Sequence, residues 1–78
     1  MTRSLATIAR EIRNNWTKPY FGAVPYLDAM HHLDTMRDKY YYDDAQSVVL
    51  YFLANAGTWK GEVARRIKAE LKTMLKGA

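Results

Sequence analysis

The residues best suited to chemistry are two adjacent histidines, His31 and His32. Consecutive helical residues point about 100° apart, so the pair cannot readily share one metal ion. Asp28 and His32 are four positions apart, and His31 and Asp34 are three apart, so either couple could share one ion. Two such ligands, without cysteine or a third histidine, fall short of a zinc site. We therefore expect no metal site, and a partly exposed pair that titrates near pH 6.5.

The other candidate catalytic residues lack the surroundings that catalysis requires. Ser4 and Ser47 are the only serines, and neither lies in the context of a nucleophile elbow. Asp43 and Asp44 could imitate an acid–base pair, but helix capping explains them better. The segment 57–61 lacks the spacing of a phosphate-binding loop, and no strand precedes it. We expect a protein that is not an enzyme and that holds no cofactor.

Composition indicates one globular domain spanning residues 1–78. The chain is 49% apolar, carries a net charge of +4 and contains no cysteine, which excludes disulfides and thiolate metal cages. No apolar run approaches the ~18 residues of a membrane span. We expect a cytoplasmic protein with no membrane partner.

Hydrophobic periodicity predicts an all-α fold of four helices. We place the helices at residues 4–16, 25–38, 44–56 and 59–76, with the third and fourth as an antiparallel pair. Ser4 is the expected cap of the first helix, and Asp43 or Asp44 that of the third. The tyrosine run at 40–42 is interpreted as a connector or a frayed helix end, because one short run without a partner strand cannot make a sheet.

The break between the third and fourth helices is rich in structural signals. Gly57 is expected in the left-handed conformation after the third helix, with Thr58 as the cap of the fourth. Tyr20 and Phe21 are too large to leave free, so we expect one or both to dock on the core. The predicted core comprises Leu5, Ile8, Ile12, Trp16, Leu27, Met30, Leu33, Val48, Val49, Phe52, Leu53, Val63, Ile67, Leu71 and Met74.

Positive charge is concentrated at the two ends of the chain. Residues 1–18 carry four basic groups and one acidic group, whereas residues 58–78 carry six and two. A solvated helix face explains such stripes, and so does a surface that neutralises the phosphates of a nucleic acid. The two candidate basic faces comprise Arg3, Arg10, Arg13 and Lys18 on the first helix and its end, and Lys60, Arg65, Lys68, Lys72 and Lys76 around the fourth.

Tyrosine is abundant for a chain of this length, with six residues. Exposed tyrosines are typical of protein-binding surfaces, although rings packed at the rim of a core would look the same in sequence. We predict a binding module that engages a protein partner and could form a homodimer, with nucleic-acid binding as the alternative. The predicted partner-binding residues are Tyr40, Tyr41, Tyr42, Tyr51, Arg65, Lys68, Lys72 and Lys76.

Three segments give the chain a resemblance to known sequences. The segments 18–30, 51–62 and 64–71 resemble small uncharacterised proteins encoded by phages and prophages. This resemblance implies an accessory protein that binds host or phage machinery, including inhibitors of host defence of the anti-CRISPR type. It implies no reaction and no catalytic residue.

Overall fold

Six short elements follow one another in the computed structural model, which describes residues 3–77. In chain order they are α1 (Leu5–Asn15), α2 (Val24–Met30), β1 (Lys39–Tyr40), β2 (Asp43–Asp44), α3 (Ala45–Ala54) and α4 (Glu62–Lys76). β1 and β2 form an antiparallel hairpin in which Lys39 faces Asp44 and Tyr40 faces Asp43. The four-helix prediction is therefore confirmed in its coarse form, but the described chain is mostly helical and not purely all-α.

The start of α1 is tied to the turn that follows α2. Ser4 Oγ accepts a hydrogen bond from the backbone N–H of Thr7, which confirms the predicted cap. The next two free N–H groups, of Leu5 and Ala6, donate to the carbonyls of Asp34 and Leu33. These contacts satisfy donors that a helix start otherwise leaves to solvent.

α2 ends at Met30, so the predicted helix over 25–38 is wrong in its second half. The Asp38 carboxylate accepts from the backbone N–H groups of Asp34 and Thr35, at 2.8 and 3.2 Å. This local side-chain turn competes with helix continuation. Leu33 is nevertheless almost fully buried, so the apolar residue that suggested a longer helix reaches the core from a turn.

The tyrosine run forms a hairpin, so its interpretation as a connector or frayed helix end is wrong. Tyr40 and Asp43 are paired, which leaves Tyr41 and Tyr42 as the two-residue turn. Tyr41 has φ of 57°, in the left-handed region that bulky residues rarely adopt. The Asp44 carboxylate then accepts from the N–H of Ser47 and caps α3, as predicted.

The α3–α4 connector, residues 55–61, differs from the prediction at three points. Gly57 does not have a positive φ; Gly61 does, with φ of 107°. Gly61, rather than Thr58, immediately precedes α4, which begins at Glu62. Trp59 therefore lies outside the helix, and its side chain is 2% exposed.

Buried residues from all four helices form one hydrophobic cluster. The predicted core residues belong to it, except that Leu53, Val63 and Met74 are partly buried and pack against it. At one end the rings of Trp16 and Trp59 stack with centroids 5.7 Å apart, and Phe52 meets both edge-on at 6.3 Å. The connector is thus fastened to α1 and α3 by aromatic packing.

Helix contacts place α2 against both α1 and α3, while α4 contacts α1 and α3. The antiparallel pairing of α3 and α4 stays a prediction. The expected docking of Tyr20 or Phe21 is wrong, because these side chains are 44% and 79% exposed. Their rings instead pack on each other, with centroids 4.7 Å apart.

Candidate binding surfaces

The outer flank of α4 carries three of the predicted basic residues. Arg65, Lys72 and Lys76 are exposed, and their spacing of seven and four residues puts them on one side of the helix. None of them takes part in an ion pair within residues 3–77. We call Lys60, Arg65, Lys72 and Lys76 together the α4 cation flank.

Lys68 was predicted as a member of this basic face, but its ammonium group is used inside the protein. Lys68 Nζ donates to the carbonyls of Ala56 and Trp59, at 2.8 and 2.7 Å. It also lies 5.8 Å from the centroid of the Trp59 ring. Burial lowers the pKa of Lys68, and the neighbouring charges of Lys72 and Lys60 lower it further. Lys68 therefore holds the α3–α4 connector in place and is a poor contact residue.

The basic face predicted on the first helix is largely neutralised. Arg3 bonds to Glu70 at 2.6 Å and to Glu11 at 2.7 Å, and these bonds raise the pKa of Arg3 above its ordinary value. Glu11 also accepts from Arg66, and the bond from Arg3, followed by that from Arg66, lowers the pKa of Glu11. The result is a four-residue ion-pair network that joins α1 to the inner flank of α4.

The remaining residues of that face are divided. Arg13 pairs with Asp28 across α1 and α2. Arg10 and Lys18 are exposed, and Arg10 bonds only to the hydroxyl of Thr7 within the described residues. Two residues of the basic surface predicted for the first helix, Arg3 and Arg13, are therefore paired with carboxylates, and the other two remain exposed. The carboxylates that pair with these arginines are distant in sequence, so the spacing of residues along one helix does not reveal them.

The predicted tyrosines fall into two groups. Tyr40 is half-buried and stacks on His32, with ring centroids 5.7 Å apart. Tyr41 and Tyr42 are 83% and 102% exposed at the tip of the hairpin. Tyr40 thus supports the hairpin, and the other two are available for contact.

Tyr51 belongs to a different surface, on the outer side of α3. Tyr51 and Leu50 are each 55% exposed, and Ala54 is exposed beside them. Tyr26 of α2 packs on Tyr51 with ring centroids 5.5 Å apart. We call Leu50, Tyr51 and Ala54, with Tyr26, the α3 face.

Sequence reasoning missed the exposure of Tyr20 and Phe21. Tyr20 lines a shallow groove with Ala54, Asn55, Gly57 and Thr58 at the end of α3. Nothing in the local sequence signals that these rings stay outside the core. The apolar character of Leu50 and Tyr51 was visible in sequence, but it did not show which side of the helix would face solvent.

The two histidines have different surroundings. His31 is half-buried and His32 is exposed. Burial lowers the pKa of His31, and the nearby charge of Arg13 lowers it further. No group of three metal-ligating side chains occurs within residues 3–77.

A larger groove lies between the start of α1, the turn at 34–37 and the end of α4. Its volume is about 570 Å³, and its lining includes Arg3, Asp34 and Arg37. Arg3 is already neutralised by two glutamates, so the charged side chains that line the groove do not give it a single sign of charge.

No protein-family model matches the chain, and neither a curated protein nor a solved structure matches it. The resemblance to small phage proteins therefore stays a hypothesis. In the part of the chain that the structure describes, no helix is long and apolar enough to cross a bilayer.

Proposed function

We propose that this protein is a non-enzymatic binding module that docks a protein partner against the α3 face. The carrying observation is that α3 contains no charged residue in its ten positions. One side of the helix fills the core, and Leu50, Tyr51 and Ala54 lie on the other. The partly buried Gln46 and Ser47 share this side, which therefore carries no charge but is not wholly apolar. Surface helices normally place charged residues on the outer side, so an uncharged outer side with exposed Leu50 and Tyr51 favours contact with a partner.

The surroundings of α3 extend this apolar area. Tyr26 adds a second ring beside Tyr51, and Tyr20 lies next to the end of the helix. Tyrosine is enriched in protein interfaces because a large amphipathic ring gives contact area with few rotatable bonds. Tyr41 and Tyr42, at the hairpin tip, supply further exposed rings for the same kind of contact.

The proposal keeps two further expectations. It takes α3 and α4 as an antiparallel pair, since a connector of seven residues joins them and both contribute to one core. It takes the partner as a host or phage protein in the cytoplasm, for example a host defence complex. Support for the latter comes from the resemblance of segments 18–30, 51–62 and 64–71 to phage accessory proteins.

The test compares a variant of the α3 face with a matched control. Leu50→Glu with Tyr51→Glu places two charges on the face, and Ala69→Glu with Thr73→Glu places two on exposed positions of α4. Tagged proteins are used to capture partners from a bacterial host, and the affinity for each captured protein is then measured with purified components. We expect wild type and control to bind alike and the α3 variant to bind at least tenfold more weakly. Equal binding by all three proteins would refute the proposal.

A second copy of the chain is the simplest alternative occupant of the α3 face. Size-exclusion chromatography with light scattering measures the mass of wild type and of the α3 variant. A dimer that the variant converts to a monomer identifies the face as a homodimer interface. A wild-type monomer at high concentration excludes the homodimer and leaves a different protein as the partner.

A further inference from the structure

The exposed pair of aromatic rings lies beside the same connector that leads to the α4 cation flank. Tyr20 lines a shallow groove together with the connector residues Asn55, Gly57 and Thr58. Lys68 Nζ, on α4, binds the carbonyls of Ala56 and Trp59 in the same connector. The connector thus lies between two exposed features: a pair of aromatic rings tilted by 53° to each other, and a row of cations.

The cation flank is separate from the ion pairs of the protein. Arg65, Lys72 and Lys76 span about 16 Å along α4, at 1.5 Å per residue. The glutamates that bind arginines, Glu11 and Glu70, meet Arg3 and Arg66 on the other flank of the helix. The outer flank therefore keeps a positive charge that no carboxylate of the described residues pairs with directly.

Two exposed lysines lie close in sequence to the rings and to the connector. Lys18 is exposed two residues before Tyr20, and Lys60 is exposed directly after Trp59. Phe21, the second ring of the pair, is 79% exposed to solvent, although burial of its apolar surface would be favourable. Cations next to exposed rings are the combination that binds single-stranded nucleic acid, because phosphates meet the charges and unpaired bases stack on the rings.

We propose that the α4 cation flank, with Tyr20 and Phe21, is a docking surface for single-stranded DNA or RNA. A duplex fits less well, because its bases are already stacked and cannot reach the rings. The recognition is independent of sequence, since neither a backbone phosphate nor a π-face identifies a base. This surface contains none of the four residues of the α3 face, although Tyr20 lies near the end of α3. The variants of the two surfaces therefore differ, and each proposal can fail without the other.

Fluorescence anisotropy with a labelled oligothymidine, and with a duplex of equal length, tests the proposal. Four neutralised phosphates predict that binding of the single strand weakens about 50-fold between about 50 and 200 mM salt. Phe21→Ala should weaken it about fivefold to a hundredfold through lost stacking. The exposed position of Phe21 means that the variant should fold, which circular dichroism checks.

Two charge-reversal variants distinguish the effect of the α4 cation flank on binding from the effect of the protein's net charge. Arg65→Glu with Lys72→Glu should abolish most of the binding and flatten its salt dependence. Arg37→Glu with Lys39→Glu makes the same change in net charge at exposed positions away from the flank, and should have a small effect.

Four results would overturn the proposal. The first is no binding of oligothymidine at about 100 μM protein in low salt, and the second is an equal loss of affinity in the two charge-reversal variants. The third is equal affinity for duplex and single strand together with no change of affinity in Phe21→Ala, and the fourth is displacement by polyglutamate as effective as displacement by unlabelled oligothymidine. The last result would identify an acidic protein as the partner of the flank.

Discussion

At the scale of single residues, the clearest departure from ordinary behaviour is the backbone of Tyr41. Its φ of 57° is the single positive value among the non-glycine residues of the described chain. The left-handed conformation costs roughly 1–2 kcal/mol for a residue with a Cβ. The hairpin pairing of Tyr40 with Asp43, and the cap that Asp44 supplies to α3, hold the turn in this state.

We predict that Tyr41→Gly is more stable than Tyr41→Ala by about 1 kcal/mol, since both remove the ring and glycine alone relieves the strain. Urea denaturation of the two variants measures the difference. The same substitutions at Tyr42, whose φ is not positive, provide the control, and there glycine should be the less stable. If Tyr41→Ala were as stable as Tyr41→Gly, or more stable, the proposed backbone strain at position 41 would be refuted.

At the scale of secondary-structure elements, α1 and α4 are joined by charge as well as by apolar packing. The ion-pair network between them comprises Arg3, Glu11, Arg66 and Glu70, and Arg3 approaches Glu70 to 2.6 Å and Glu11 to 2.7 Å. These side chains are partly exposed, so each pair contributes modestly and the network more than its separate pairs. The network also decides which cations remain exposed for partners.

We predict that Glu11→Gln destabilises the protein by about 1 kcal/mol at pH 7, and that salt reduces this loss. The pKa of Glu11 is lowered in the folded state, so its contribution is present above its unfolded value of 4.5 and is lost as pH falls through the folded pKa. Urea denaturation at pH 7 and near pH 3 should therefore show a smaller difference between wild type and variant at the lower pH.

Asp43→Asn serves as the control for the loss of one carboxylate. Asp43 is exposed and makes no ion pair within residues 3–77. Its substitution should change the free energy of unfolding by less than about 0.5 kcal/mol at either pH. A pH-independent loss in Glu11→Gln would show that packing, and not charge, is responsible.

At the scale of the whole molecule, the connector is part of the core. Trp59 is stacked on Trp16, and its Nε1 donates to Asn15 Oδ1 at 2.8 Å. Lys68 closes the other side of the connector through two carbonyls. Side chains from α1, α3 and α4 therefore meet around the indole ring of Trp59, so this ring contributes to the relative placement of the three helices.

We predict that Trp59→Ala costs about 3–5 kcal/mol, the usual loss when a large buried aromatic residue is truncated. Small domains are stable by about 5–15 kcal/mol, so the variant should be partly unfolded at moderate temperature. Thermal denaturation followed by circular dichroism measures the loss. Phe21→Ala removes an exposed ring and should leave the midpoint nearly unchanged, whereas equal effects of the two variants would contradict this account.

The sequence by itself determined the features that depend on near neighbours. The periodicity of α1 and α4, the caps Ser4 and Asp44 and most of the core follow from interactions within about one helical turn. Those interactions are formed by residues three or four positions apart, so they can be read before the fold is known.

Only the tertiary structure decided the burial of Trp59 and the exposure of the basic residues. Arg3 finds Glu70 at a separation of 67 positions, and Trp59 finds Asn15 at 44. Such partners are set by how the helices pack, because no local spacing relates them. The physical reason is the same for both candidate surfaces. A side chain remains available to a partner when no distant residue of its own chain neutralises or covers it, and this is settled only after the helices have packed.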